Sequence, residues 1–130
     1  MIDLRQAIKK GKSINELKKA LWTIFSKYIR QRDNFICYTC GKPGNHAGHY
    51  VPQSKGNALR WNEKNVHCQC MSCNCYKSGN LSVYALNLEK EYGPGILQEF
   101  DEIKHTVYKP TSDELEAKIA HYHMRMRGAL

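Results

Sequence analysis

Residues 37–77 read CYTCGKPGNHAGHYVPQSKGNALRWNEKNVHCQCMSCNCYK. Two Cys-x-x-Cys pairs, Cys37/Cys40 and Cys70/Cys73, bracket this stretch. A Cys-x-x-Cys turn directs two thiolates at one point, and two such turns supply the four sulfurs of a tetrahedral structural zinc. Zn2+ is therefore the first expected cofactor. A zinc closed by four cysteines keeps no position open for water or substrate, so chemistry falls to the other polar residues: His46, Gly48, His49 and Asn65 between the pairs, and Asn74 directly after the second. Cys68 and Cys75 remain outside the quartet, and each reads as a small buried residue or an idle thiol.

Around this stretch, 130 residues fit one domain. The composition is 42% hydrophobic, and no apolar run reaches the roughly 18 residues of a membrane span. Met1–Arg5 lacks the apolar region of a signal peptide, so a soluble cytoplasmic protein with no membrane partner is expected. Two Cys-x-x-Cys pairs without an export signal favour metal over disulfides. A net charge of +8 favours a polyanionic partner, because each phosphate contact releases condensed counterions. Nucleic acid is the leading class, and a generally basic surface is the plain alternative.

Outside the centre the pattern is helical. Residues 3–10 could form a short helix ended by Gly11. Ser13 and Glu16 have the spacing of a capping box, and Ile14, Leu17, Leu21, Ile24 and Tyr28 follow on one helical face to about Arg30. The basic end at Arg30 and Arg32 is either a solvated face or a DNA contact. Gly41–Asn45 is dense in turn residues; His46–Val51 reads as a strand, and a second extended piece is expected at about Leu59–Trp61. Leu81, Tyr84, Leu88 and Tyr92 recur at helical spacing until Gly93-Pro94-Gly95. Ile96, Leu97, Phe100 and Ile103 suggest another short helix. Thr111 with Glu114 opens a last one carrying Leu115, Ile119, Tyr122 and Met126.

Three strings, Arg32–Gly41, Gly48–Pro52 and Asn65 with Cys70–Asn74 and Lys77, in this order and spacing, resemble the HNH endonucleases of the ββα-metal (His-Me finger) type. Within them the wording is most similar to the phage recombination proteins of the lambda NinG (Rap) type. The resemblance implies an α+β fold: a small ββα-metal core with a four-cysteine structural zinc, surrounded by several α-helices. One domain over 1–130 would then comprise an N-terminal helix at about 13–31, the zinc core at about 35–79 and a helical part at about 80–127. The helix of the ββα unit would start near Cys73.

The resemblance also assigns roles. His49 falls on the general base, Asn65 on the asparagine that orients it through backbone or ring, and Asn74 on a ligand of the catalytic cation. Phosphodiester hydrolysis needs a base for water and a Lewis acid for the phosphoryl and leaving oxygens, and histidine titrates near neutrality. A cation held by a neutral amide and few other protein groups would keep several waters, the habit of Mg2+, so Mg2+ or Mn2+ is expected at this second site.

This sequence departs from the family at Gly48, where most HNH enzymes place an Asp or His as a further ligand. If residues 46–49 are extended, His46 lies on the side of Gly48 and can substitute; a water there, or a poorly binding site, are the other readings. Lys77 and Arg60 are the expected phosphate contacts, Lys42 and Lys55 read as ordinary surface, and His67 as a structural histidine.

The expected function is a metal-dependent DNA endonuclease acting on branched recombination intermediates, D-loops or Holliday junctions, in phage recombination. Substrate choice comes from the resemblance only, since fold does not determine it. The alternative is a non-catalytic zinc-finger module that binds nucleic acid; Gly48 favours it, and the His46/His49/Asn65/Asn74 set opposes it. A redox role would need one Cys-x-x-Cys pair standing alone. The amphipathic terminal helices could build a homodimer interface or an intramolecular core.

Overall fold

The computed structural model describes residues 12–128. Its elements are α1 (Ile14–Arg32), β1 (His46–His49), a 3-10 turn (Asn57–Leu59), β2 (Val66–Gln69), α2 (Leu81–Tyr92), α3 (Ile96–Lys104) and α4 (Ser112–Gly128). The class is α+β, with helices and one two-stranded antiparallel sheet. No helix among the described residues is long and apolar enough to cross a membrane. The expected helix at 3–10 lies outside the described residues.

The chain divides into two compact units. The first holds residues up to Tyr28 and from Lys109 onward. Here the capping box forms as its spacing requires, with Glu16 N–H donating to Ser13 Oγ at 3.2 Å and Ser13 N–H to the Glu16 carboxylate at 3.4 Å. Leu17, Leu21, Ile24 and Phe25 are buried, as are Leu115, Ile119 and Tyr122 of α4. Ile14, expected in the stripe, lies exposed in the first turn, and Phe25 takes a core place that the stripe did not include. Its ring meets Tyr122 edge-on at 5.1 Å. The second capping box also forms, Glu114 N–H reaching Thr111 Oγ1 at 3.2 Å.

The second unit, Ile29–Tyr108, carries the sheet and the cysteines. Its apolar core is Leu59, Tyr84, Leu88, Ile96 and Phe100, with Tyr50, Val51, Leu97 and Ile103 packed against it. At about 1.5–3 kcal/mol per large buried side chain, this cluster gives the small sheet a stable backing.

Two expectations fail here. The second strand is Val66–Gln69, not Leu59–Trp61. Gly56 starts a 3-10 turn instead, its carbonyl accepting from Leu59 N–H at 3.0 Å, and Leu59 drops into the core. β2 is hidden in the sequence because all four of its side chains are buried, two of them polar, so no alternation marks it. Nor does a regular helix begin near Cys73. Ser72–Tyr76 makes one wide turn closed from Lys77 N–H to Ser72 O at 2.9 Å. Ser78, Gly79 and Asn80 then take positive φ, which breaks the helix until Leu81.

Candidate functional site

The sulfur site is the best defined feature. One ligand sulfur from each of Cys37, Cys40, Cys70 and Cys73 lies within 4.8 Å of the other three. The first knuckle closes through Gly41 N–H to Cys37 O at 2.9 Å and Cys37 N–H to Lys42 O at 2.7 Å. In the second, Cys73 N–H points at Cys70 Sγ at 3.4 Å, and Asn80 Nδ2 donates to Cys73 Sγ at 3.6 Å. Donors aimed at sulfur favour the thiolate. Although burial pushes the Cys37 thiol up, hydrogen bonds from Thr39 and nearby backbone amides outweigh it and bring Cys37 to about 6. Cys40 is drawn down by the Lys42 backbone, but burial and the neighbouring sulfurs override this and raise it to about 12. Four thiols this close cannot all ionise without a cation between them, and the donor set is that of a structural zinc.

Cys68 and Cys75 stay outside the cluster. Cys68 is buried in β2 with its thiol pushed up to about 11 by burial and by Asp33, and Cys75 is exposed.

The second cysteine knuckle fixes Asn74, because Asn74 N–H donates to Cys70 O at 3.0 Å. Its side-chain Nδ2 lies 3.1 Å from His46 Nδ1. The two residues expected to hold a second cation, 28 positions apart in sequence, thus meet across the gap between β1 and the wide turn. In the sheet register His46 faces Gln69 and Gly48 faces His67. His46 and Gly48 therefore share one face of β1, and His49 projects from the other.

His49 Nε2 is 2.9 Å from Arg60 O. A carbonyl only accepts, so the ring's proton sits on Nε2 and its lone pair on Nδ1. Burial lowers the pKa of His49; the Arg60 carbonyl works against this, and the Arg60 charge adds to the lowering. The partner that orients the ring is thus a backbone oxygen of Arg60. Asn65, expected to orient His49 through the histidine's backbone or ring, is bonded to the residues that follow it, its carbonyl accepting from Tyr50 N–H at 2.9 Å. Its buried amide accepts from Val51 N–H at 2.8 Å and donates to Val51 O at 3.0 Å and Leu59 O at 3.1 Å. It clamps both ends of the 51–59 loop, and the second end hands the chain to Arg60.

Arg60 places its guanidinium over the Trp61 ring at 4.8 Å, and Lys77 is exposed at the end of the wide turn. Arg30 reaches Asn45 at 3.0 Å. Arg32 is a structural cation: it meets Asp33 at 2.7 Å and donates to Glu63 O and Val66 O. His67 is buried between Tyr84 and Tyr92 hydroxyls, each at 3.1 Å, and stacks on Tyr38 at 3.8 Å. Burial, reinforced by the charge of Arg32, takes it down to about 3.

With this geometry in view, the family model described as "Bacteriophage Lambda NinG protein" matches residues 2–129. The chain belongs to the NinG family. It is 36% identical over 104 residues to Protein ninG of Escherichia phage lambda, an alignment covering 77% of this chain and 50% of that protein. Protein ninG of Salmonella phage P22 is 35% identical over the same length, covering 77% and 51%. This NinG chain therefore spans about half the length of the relatives it matches. No solved structure matches it.

Sequence reasoning missed three participants. The Arg60 carbonyl carries no side-chain signal. Tyr84 read as core, yet its buried hydroxyl donates to Gly48 O at 2.7 Å and so ties α2 to the strand between the two histidines. Gln69 lies between Cys68 and Cys70 and is fully buried, a placement that no local pattern in the sequence marks.

Proposed function

We propose that this chain is a metal-dependent DNA endonuclease of the HNH type, cutting branched recombination intermediates in a phage recombination process. The observation that carries the reading is the meeting of His46 and Asn74 at 3.1 Å, with His49 three residues further along the same strand and its ring held by the Arg60 carbonyl at 2.9 Å. Zinc ligation by the four cysteines would fix the backbone from Cys70 to Cys73, which sets Asn74 against β1. A divalent cation there would supply charge neutralisation at the phosphoryl and departing oxygens. The protein's own share is to hold water and phosphate. His49 Nδ1 takes the proton of the attacking water, and the Arg60 carbonyl on Nε2 steadies the imidazolium that results. Arg60 and Lys77 supply positive charge for the phosphate backbone, in keeping with a net charge of +8.

The test uses the zinc-loaded chain on supercoiled plasmid and on synthetic branched and linear duplexes, with Mg2+ or Mn2+ against EDTA. The parent should nick branched DNA in the presence of the ion, and His49→Ala should bind DNA equally but not cut. The second reading, a non-catalytic zinc module that binds nucleic acid, is favoured by Gly48, which offers no side chain to a cation. If parent and His49→Ala bind DNA alike and neither cuts any substrate, that second reading replaces the first.

A further inference from the structure

Gly48 is buried, and the space above it is already taken. A Cβ placed on Gly48 would stand 1.9 Å from Gln69 Oε1, 2.8 Å from Gln69 Cδ and 2.9 Å from Asn74 Oδ1. Two amide oxygens from different elements, one on β2 and one on the wide turn, therefore face the same small volume where the strand lacks a side chain. Gln69 is fully buried, and its Oε1 has no hydrogen-bond partner.

The orientation of the Gln69 amide is fixed by its other end. Nε2 donates to Gly79 O at 2.9 Å, which only a nitrogen can do, and reaches Thr39 Oγ1 at 3.1 Å. Oε1 must then point at the Gly48 surface. Burying a carbonyl oxygen without a donor costs about 1–3 kcal/mol, so such a group in a closed interior calls for an explanation. His46 holds the Asn74 amide by its nitrogen, which turns Oδ1 toward the same volume. Two acceptors converging with no donor between them are the arrangement a hard cation stabilises.

We propose that Gln69 Oε1 and Asn74 Oδ1 form a divalent-cation site, Gln69 supplying from the second strand the ligand that Gly48 fails to supply from the first. The inference rests on the endonuclease reading for its purpose but not for its evidence. Gly48 then has a positive role: any side chain at 48 would expel the Gln69 oxygen. The ligands are neutral, with His46 beside them as an imidazole, so the ion is held weakly until DNA adds its phosphate charge. A set of imidazole and amide groups favours Mn2+ over Mg2+.

The zinc-loaded, isotope-labelled parent is titrated with Mg2+ without DNA, and side-chain amide resonances are followed by NMR. Those of Gln69 and Asn74 should shift together, with one saturation curve, while that of Asn87, which is bonded to Tyr38 O, stays in place. The competing arrangement is a half-turn of the Asn74 amide, pairing its nitrogen with Gln69 Oε1; the Gln69 resonance would then ignore the ion, and the proposal is overturned. Gln69→Ala should abolish the Asn74 shift while keeping one zinc per chain. The swap Gly48→Asp with Gln69→Ala moves a carboxylate into the vacated volume and should restore Mg2+ binding at least to the parent's level. A folded swap variant that does not respond to Mg2+ also overturns the proposal. Cleavage by the parent with Gln69 unresponsive sinks this inference and leaves the endonuclease reading standing; cation binding at Gln69 and Asn74 without cleavage does the reverse.

Discussion

Nε2 of His49 and the backbone oxygen of Arg60 stand 2.9 Å apart, and this one hydrogen bond sets which ring nitrogen can act as a base. Because burial and the Arg60 charge lower the pKa of His49, the ring is neutral throughout the neutral range and protonates only below the ordinary histidine value of about 6.5. Single-turnover cleavage should therefore be independent of His49 protonation at pH 7 and lose rate only as pH falls below about 6.5. His49→Ala should cut at least about 100-fold more slowly, the usual contribution of a general base. An acidic limb centred above the ordinary histidine value would remove His49 from that role.

Zinc and sulfur make a separate prediction. Four sulfurs lie within 4.8 Å of one another, the donor set of a structural zinc, so the parent should retain one zinc per chain after dialysis against EDTA and release it to a mercurial that consumes four thiols. Cys70→Ser should lose the zinc and, with it, the helical signal of the second unit. Cys68→Ser and Cys75→Ser should keep the metal, since neither sulfur belongs to the quartet. Loss of zinc from Cys75→Ser with retention in Cys70→Ser would reassign the ligands.

The sequence exposed what depends on residue type at short range and concealed what depends on the backbone. Both capping boxes and the zinc quartet were legible because each needs particular side chains at fixed spacing, and the helices of Leu81–Tyr92 and Ile96–Lys104 because a 3.6 period survives in them. β2 was not, because His67 and Gln69 are polar residues buried by partners far away in the chain: the Tyr84 and Tyr92 hydroxyls for one, Thr39 and Gly79 for the other. Arg32 reads from the sequence as a solvated face or a DNA contact because nothing local shows that the Glu63 and Val66 carbonyls will meet it. At the candidate site the residue types were legible. Their division over two faces of β1, and the filling of the Gly48 gap by Gln69, required the strand register.

Tyr84 tests how firmly the strand must be held. Its hydroxyl donates to Gly48 O at 2.7 Å and, having spent its proton there, accepts from His67 Nδ1, which leaves His67 Nε2 to accept from Tyr92. Tyr84→Phe keeps the ring and its packing but takes one donor from the Gly48 carbonyl, which stays paired with His67 across the sheet, and removes the acceptor of the His67 ring N–H. We expect a loss of about 1–3 kcal/mol in urea unfolding of the zinc-loaded protein. Cleavage should also slow, because the backbone between His46 and His49 loses its anchor. Unchanged stability would mean that water replaces the hydroxyl at no cost.

Asp33 joins three elements through one carboxylate. It receives Arg32 at 2.7 and 3.1 Å and accepts from Cys68 N–H at 2.8 Å, so the end of α1, the start of the first knuckle and β2 are locked together. Both partners only donate. In Asp33→Asn the amide nitrogen must therefore face either the guanidinium or the Cys68 N–H, donor against donor, and one half-buried group loses its acceptor. The expected cost is about 1–3 kcal/mol, read as a lower urea midpoint with an unchanged slope. Asp113→Asn, at an exposed position in the first turn of α4, should cost less than about 1 kcal/mol and serves as the comparison for removing a negative charge alone. Equal effects from the two substitutions would show that net charge, not the acceptor geometry of Asp33, sets the stability of the unit that carries the site.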